Sequence, residues 1–139
     1  MKKNRILKML SGFIIGFTAF AIVLISIMAF VNPQAVMDMV QVKLTTTDAI
    51  SSIRAVYGGI GMLLFIQLVY LLYKNQMQGL VLVALFGGFY AVSRVITIFN
   101  EGSLGAFGRQ WLSIEATLCV AAIVVLVLRH KSGQTFSSK

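Results

Sequence analysis

Arg54, Arg94 and Glu115 each fall inside a long apolar run, and their types and spacing are the part of this chain with most chemistry in it. A charge within a membrane-spanning helix costs up to about 3 kcal/mol on insertion scales, so each is expected to find a partner. Two guanidinium groups facing one carboxylate can form a bidentate pair with one cation left over. Residues three, four and seven apart share a helix face. Arg54 then shares one with Tyr57, Gly58 and Gly61; Arg94 with Gly87, Tyr90 and Ala91; Glu115 with Trp111, Cys119 and Ala122. The small residues permit close helix approach or leave room for a guest molecule. The tyrosine hydroxyls can bind that guest or complete a polar network. The ligand-binding set expected from these faces is Arg54, Tyr57, Gly58, Gly61, Tyr90, Arg94, Trp111 and Glu115. Two readings stay open. In one, Arg94 and Glu115 pin the helices while Arg54 snorkels outward; in the other, the excess positive charge receives an anionic or carbonyl-bearing head group whose apolar tail lies between helices.

Other chemistries lack their residues. With one cysteine, Cys119, and one histidine, His130, the chain can form neither an intramolecular disulfide nor an ordinary zinc set. No catalytic residue, metal or cofactor is expected. A Ser/His/acid triad is remote, because His130 and the four acids fall on opposite sides of the topology derived below. Small multidrug-proton exchangers are also four-helical, but they carry an acidic residue in the first span, where this chain has none.

The elements that must position these residues follow from composition. Of 139 residues 58% are hydrophobic, 12% are charged and one is proline, with a mean hydropathy of +0.90. A soluble chain carries about a quarter charged residues, so lipid solvates this one. Crossing about 30 Å of hydrocarbon takes about 20 apolar residues, and residues 10–31, 53–73, 79–99 and 111–128 qualify as spans. The fold class is therefore all-α, a four-transmembrane-helix bundle forming a single domain over residues 1–139. Counting from the span boundaries, Arg54 lies three residues past Ser51, Arg94 six before Asn100 and Glu115 four past Trp111, so all three reach a similar depth.

The formal charge is +8. Lys2, Lys3, Arg5, Lys8, Lys74, Arg129, Lys131 and Lys139 fall on the terminal side without an acid, while Lys43, Arg54, Arg94 and Arg109 balance Asp38, Asp48, Glu101 and Glu115 on the other. The positive-inside rule puts both termini in the cytoplasm. This accounts for the whole charge, so nucleic acid is not needed as a partner. The basic amino terminus resembles that of a secretory signal, but the apolar run is long and Ala29-Phe30-Val31-Asn32-Pro33 lacks a small-x-small site, so the first span is expected to stay as an anchor.

In the first outer loop Asn32 can cap a helix begun by Pro33, with Val36, Met37, Val40 and Leu44 on one face of a short amphipathic segment. Val40 to Leu44 also alternates like a strand. Asp48 or Thr47 is expected to cap the second span. Gly12 to Gly16 is a GxxxG motif read as intramolecular packing, the run Glu101 to Arg109 as a flexible outer loop, Cys119 as a packing residue, and Arg129, His130 and Lys131 as an anionic-lipid contact.

Arg54-Ala55-Val56-Tyr57-Gly58-Gly59, followed by Arg94 late in the third span and Glu115 early in the fourth, resembles the bacterial domain-of-unknown-function family 4345. These are four-helix integral membrane proteins distantly similar to DoxX-like proteins. The resemblance runs from the first span to Leu128. It implies a multi-pass protein of the bacterial inner (cytoplasmic) membrane and brings no substrate, cofactor or partner. The expected function is a non-enzymatic binding or accessory module whose Arg/Glu cluster holds a lipid or a quinone-like amphiphile. The alternative is a membrane subunit of a redox or other enzyme complex, with a small-molecule transporter behind it. Expected partners are membrane lipids, an amphipathic anionic or quinone-like ligand, and a second copy or a larger membrane complex.

Overall fold

The computed structural model describes residues 2–137, with side chains described for residues 4–132. Lys139 lies outside the described residues, and so do the side chains of Lys2 and Lys3. Among the described residues there is no strand. The elements are α1 (Lys2–Val31), α2 (Pro33–Asp38), α3 (Thr47–Ile53), a π-helical stretch (Arg54–Ile60), α4 (Gly61–Lys74), α5 (Gln76–Glu101) and α6 (Ala106–Ser137). Four helical segments are long and apolar enough to cross a membrane: Asn4–Val31, Thr47–Lys74, Gln76–Glu101 and Ala106–Ser132. Each overruns the expected span, because backbone hydrogen bonding continues into the interfacial residues after the apolar run has ended. Phe13, Phe17, Phe20, Leu24, Leu63, Ile66, Phe89 and Ile123 are among the large side chains left exposed. Such an apolar exterior is stable in lipid and not in water.

The chain forms two compact units, one made of residues up to Ile15 with those from Leu71 onward, the other of Gly16–Tyr70. In the second unit, Ala29, Val36 and Met37 form a buried cluster against which Ile25, Met28, Leu44, Ile53 and Tyr57 pack. Asn32 caps α2, its side chain accepting from the Ala35 N–H, with Pro33 in the first turn as expected. Replacing Asn32 by alanine should cost about 1 kcal/mol, read as a small drop in the thermal midpoint of the detergent-solubilised protein.

The segment that follows departs from expectation beyond that turn. Helix α2 stops at Asp38, so Val40 and Leu44 do not extend its face, and Val40 is exposed. Gln41 takes a left-handed conformation (φ 59°) that turns the chain. Gln34 then holds the return: its Nε2 donates to Asp38 Oδ1 (2.6 Å) and to the Val42 carbonyl (2.9 Å), while its Oε1 accepts from Leu44 N–H (2.8 Å). The chain here is a loop tied back to α2, not a strand. The cap of α3 is Thr46, which accepts from the Ala49 N–H at 3.1 Å, in place of Thr47 or Asp48.

In the first unit, α5 and α6 are joined by only Gly102–Gly105, because α5 runs through Glu101 and α6 begins at Ala106. The expected long glycine-rich loop is thus mostly helix. Gly102 reverses the chain at φ 102°, a conformation that L side chains rarely adopt. Asn75 is the sole residue between α4 and α5 and caps α5, its Oδ1 accepting from the Gln78 N–H at 3.3 Å. Of the GxxxG pair, Gly12 faces Leu72 and Gln76, whereas nothing lies within 4 Å of a Cβ placed on Gly16, so only one half of the motif packs within the chain.

Candidate functional site

The eight expected site residues divide between the two units: Tyr90, Arg94, Trp111 and Glu115 in the first, Arg54, Tyr57, Gly58 and Gly61 in the second.

In the first unit, α5 and α6 run antiparallel from their short loop. Gly87 and Gly88 bring them close. A Cβ on Gly87 would lie 2.9 Å from the Glu115 carbonyl oxygen and 3.5 Å from Cys119, and one on Gly88 would lie 3.4 Å from the Cys119 Sγ. Arg94, seven residues beyond Gly87, therefore starts nearer the loop than Glu115 by up to about 10 Å. Side chains lean toward the N-terminus of their own helix. In an antiparallel pair this tilts Arg94 away from the loop and Glu115 toward it, so the two close on each other. Arg94 Nε donates to Glu115 Oε2 at 2.6 Å and Nη2 donates to Oε1 at 2.9 Å, a planar fork on the carboxylate. Glu115 is buried, its side chain 8% exposed, while that of Arg94 keeps 21%. Tyr90, one turn before Arg94, is exposed and stacks at a tilt on Phe86 with ring centroids 4.8 Å apart. Trp111, one turn before Glu115, is half-buried against Phe107 at 5.9 Å.

In the second unit, Arg54 opens the π-helical stretch, and its Nε donates to the Phe30 carbonyl at 3.1 Å. That carbonyl belongs to the last turn of α1, where four oxygens lack helical partners and the dipole is negative. Arg54 thus supplies the cation that α1 lacks in its own last turn. A Cβ on Gly58 would meet the Phe30 ring at 3.0 Å, and one on Gly61 would collide with Ser26 Oγ, which donates to the Ile22 carbonyl. Both glycines therefore mark close approach to α1. Tyr57 packs on the cluster around Ala29. The π wind closes i→i+5 hydrogen bonds, so the 3.6-residue spacing used to derive a shared face does not hold across Arg54–Ile60.

A second polar group, not singled out from the sequence, lies at the other end of the first unit. Arg129 Nη1 donates to Ser11 Oγ (2.9 Å) and to Gln76 Oε1 (3.1 Å), and buried Ser11 donates to the Leu7 carbonyl. The sequence leads one to expect Arg129 to flank a span and, with His130 and Lys131, to contact anionic lipid; the polar partners found for it are a serine in α1 and the first residue of α5, which no local spacing connects. Among the described residues, no three His, Cys, Asp or Glu side chains lie together as a metal set would require.

The family model described as Domain of unknown function (DUF4345) matches residues 10–126. The chain belongs to this family. In this DUF4345 protein the matched stretch holds the Arg54 motif, Arg94 and Glu115 together. No curated protein and no solved structure matches the chain.

Proposed function

We propose that this DUF4345 protein is a non-enzymatic binding or accessory module of the bacterial cytoplasmic membrane, with both termini on the cytoplasmic side. In this reading the Arg94–Glu115 fork holds α5 on α6 and also receives the polar head of a lipid or quinone-like amphiphile, the tail lying along the apolar helix surface. The observation that carries it is the unequal burial of the pair. Glu115 is closed off while a fifth of the Arg94 side chain stays open, with exposed Tyr90 one turn away. The guanidinium carries five N–H donors, two of which serve Glu115, and a head-group oxygen that accepts from the others meets few competing waters at that depth.

Native mass spectrometry of gently purified protein tests this. The wild type should carry an amphiphile that Arg94→Lys loses at least tenfold, since lysine keeps the charge but not the fork. Equal occupancy in both proteins, or no amphiphile in either, would leave the pair with a purely architectural role.

A further inference from the structure

Away from the Arg94–Glu115 pair, the first unit has a cleft of about 260 Å³ lined by Lys8, Lys74 and Arg129 together with Tyr73, Asn75 and Gln76. Its three cations come from α1, the end of α4 and α6, so the fold gathers charges that sequence distance keeps apart. Among the described residues, no carboxylate lines it. Like charges drawn into one cleft repel unless an anion joins them, and neutral oxygens cannot supply that anion. The hydrogen bonds of Arg129 to Ser11 and Gln76 orient its guanidinium without neutralising it. The cleft also borders the start of α5, whose first turn contains no acid. That end of the helix supplies N–H donors, while its partial positive charge is set against the partial negative end of α4, which it meets across Asn75.

We propose that this cleft binds a phosphoryl anion, the phosphate of an anionic membrane lipid. The lipid source follows from where the cleft lies. Exposed Tyr73 and half-buried Leu72 and Met77 share its lining at the end of an apolar helix, which places an acyl surface beside the charged one. The site uses residues that the Proposed function does not, so either reading can fail without the other.

The test uses the full chain in detergent, delipidated and titrated with phosphatidylglycerol or phosphatidylcholine, with bound lipid counted by native mass spectrometry. Lys8→Gln with Lys74→Gln removes two charges from exposed positions and leaves the Arg129 hydrogen bonds in place. Lys43→Gln with Arg109→Gln removes the same charge elsewhere and is the control. Phosphatidylglycerol should bind in preference to phosphatidylcholine. The cleft variant should weaken it by about fivefold per lysine, or about twenty-five-fold together, while the control stays within about twofold. A parallel titration with inorganic phosphate separates the sources. Saturable phosphate binding that the cleft variant loses, without a lipid preference, would assign the cleft to a free phosphate and overturn the lipid assignment. Equal binding of both lipids, or equal losses in the cleft and control variants, would overturn the site altogether.

Discussion

Replacing Glu115 by leucine should destabilise the protein by about 3 kcal/mol. The change strips Arg94 of a fork with contacts of 2.6 and 2.9 Å and removes the carboxylate that balances its charge within a membrane-spanning helix. Breaking a buried ion pair from one side costs about 3–5 kcal/mol in soluble proteins. The lower end is expected here, because a helix unfolded within lipid finds substitute partners for part of the loss. Arg94→Met paired with Glu115→Leu should recover most of the stability, since the double variant buries no unpaired charge. Unfolding in mixed micelles of increasing SDS content, followed by helical circular dichroism, measures all three proteins. If the double variant is no more stable than Glu115→Leu alone, the two side chains are not the coupled unit that their geometry describes.

The Arg94–Glu115 pair was legible in the sequence because the two residues lie on consecutive spans, either side of one connection. When two spans are consecutive, depth can be counted from a shared boundary, and only helix geometry enters. The four spans were legible for a similar reason: lipid demands an unbroken apolar run. Arg54 was harder. Its hydrogen-bond acceptor is the Phe30 carbonyl, and a backbone oxygen carries no side-chain signature. The π-helical wind of Arg54–Ile60 also shifts every face counted across it. The cap of α3 was misplaced by one or two residues because Thr45, Thr46, Thr47 and Asp48 offer successive side-chain oxygens, and only the entry angle of the chain chooses among them. The basic cleft escaped for a different reason. Lys8, Lys74 and Arg129 carry an obvious topological meaning as residues flanking spans, and nothing in their spacing says that α1, the end of α4 and α6 bring them to one cleft.

Gly87→Ala should be the costlier of two neighbouring substitutions that look identical on paper. A methyl at Gly87 would sit 2.9 Å from the Glu115 carbonyl oxygen, and that oxygen belongs to helical backbone that cannot swing aside. Either α5 or α6 must move, and overpacking of this kind costs about 1–3 kcal/mol. At Gly88 the nearest atom is the Cys119 Sγ at 3.4 Å, an ordinary contact, so alanine fits there and also gains about 1 kcal/mol of helix propensity. The difference reaches the ion pair as well, because the displaced carbonyl and the carboxylate belong to the same residue. Gly87→Ala should therefore lower stability in the SDS titration and shrink the benefit of the fork, so that adding Glu115→Leu to it costs less than it does in the wild type. Gly88→Ala should raise stability by up to about 1 kcal/mol and leave the benefit of the fork near wild type. Equal stability of the two alanine variants would mean that α5 and α6 do not meet at Gly87, and with that the geometry that aims Arg94 at Glu115 would be lost.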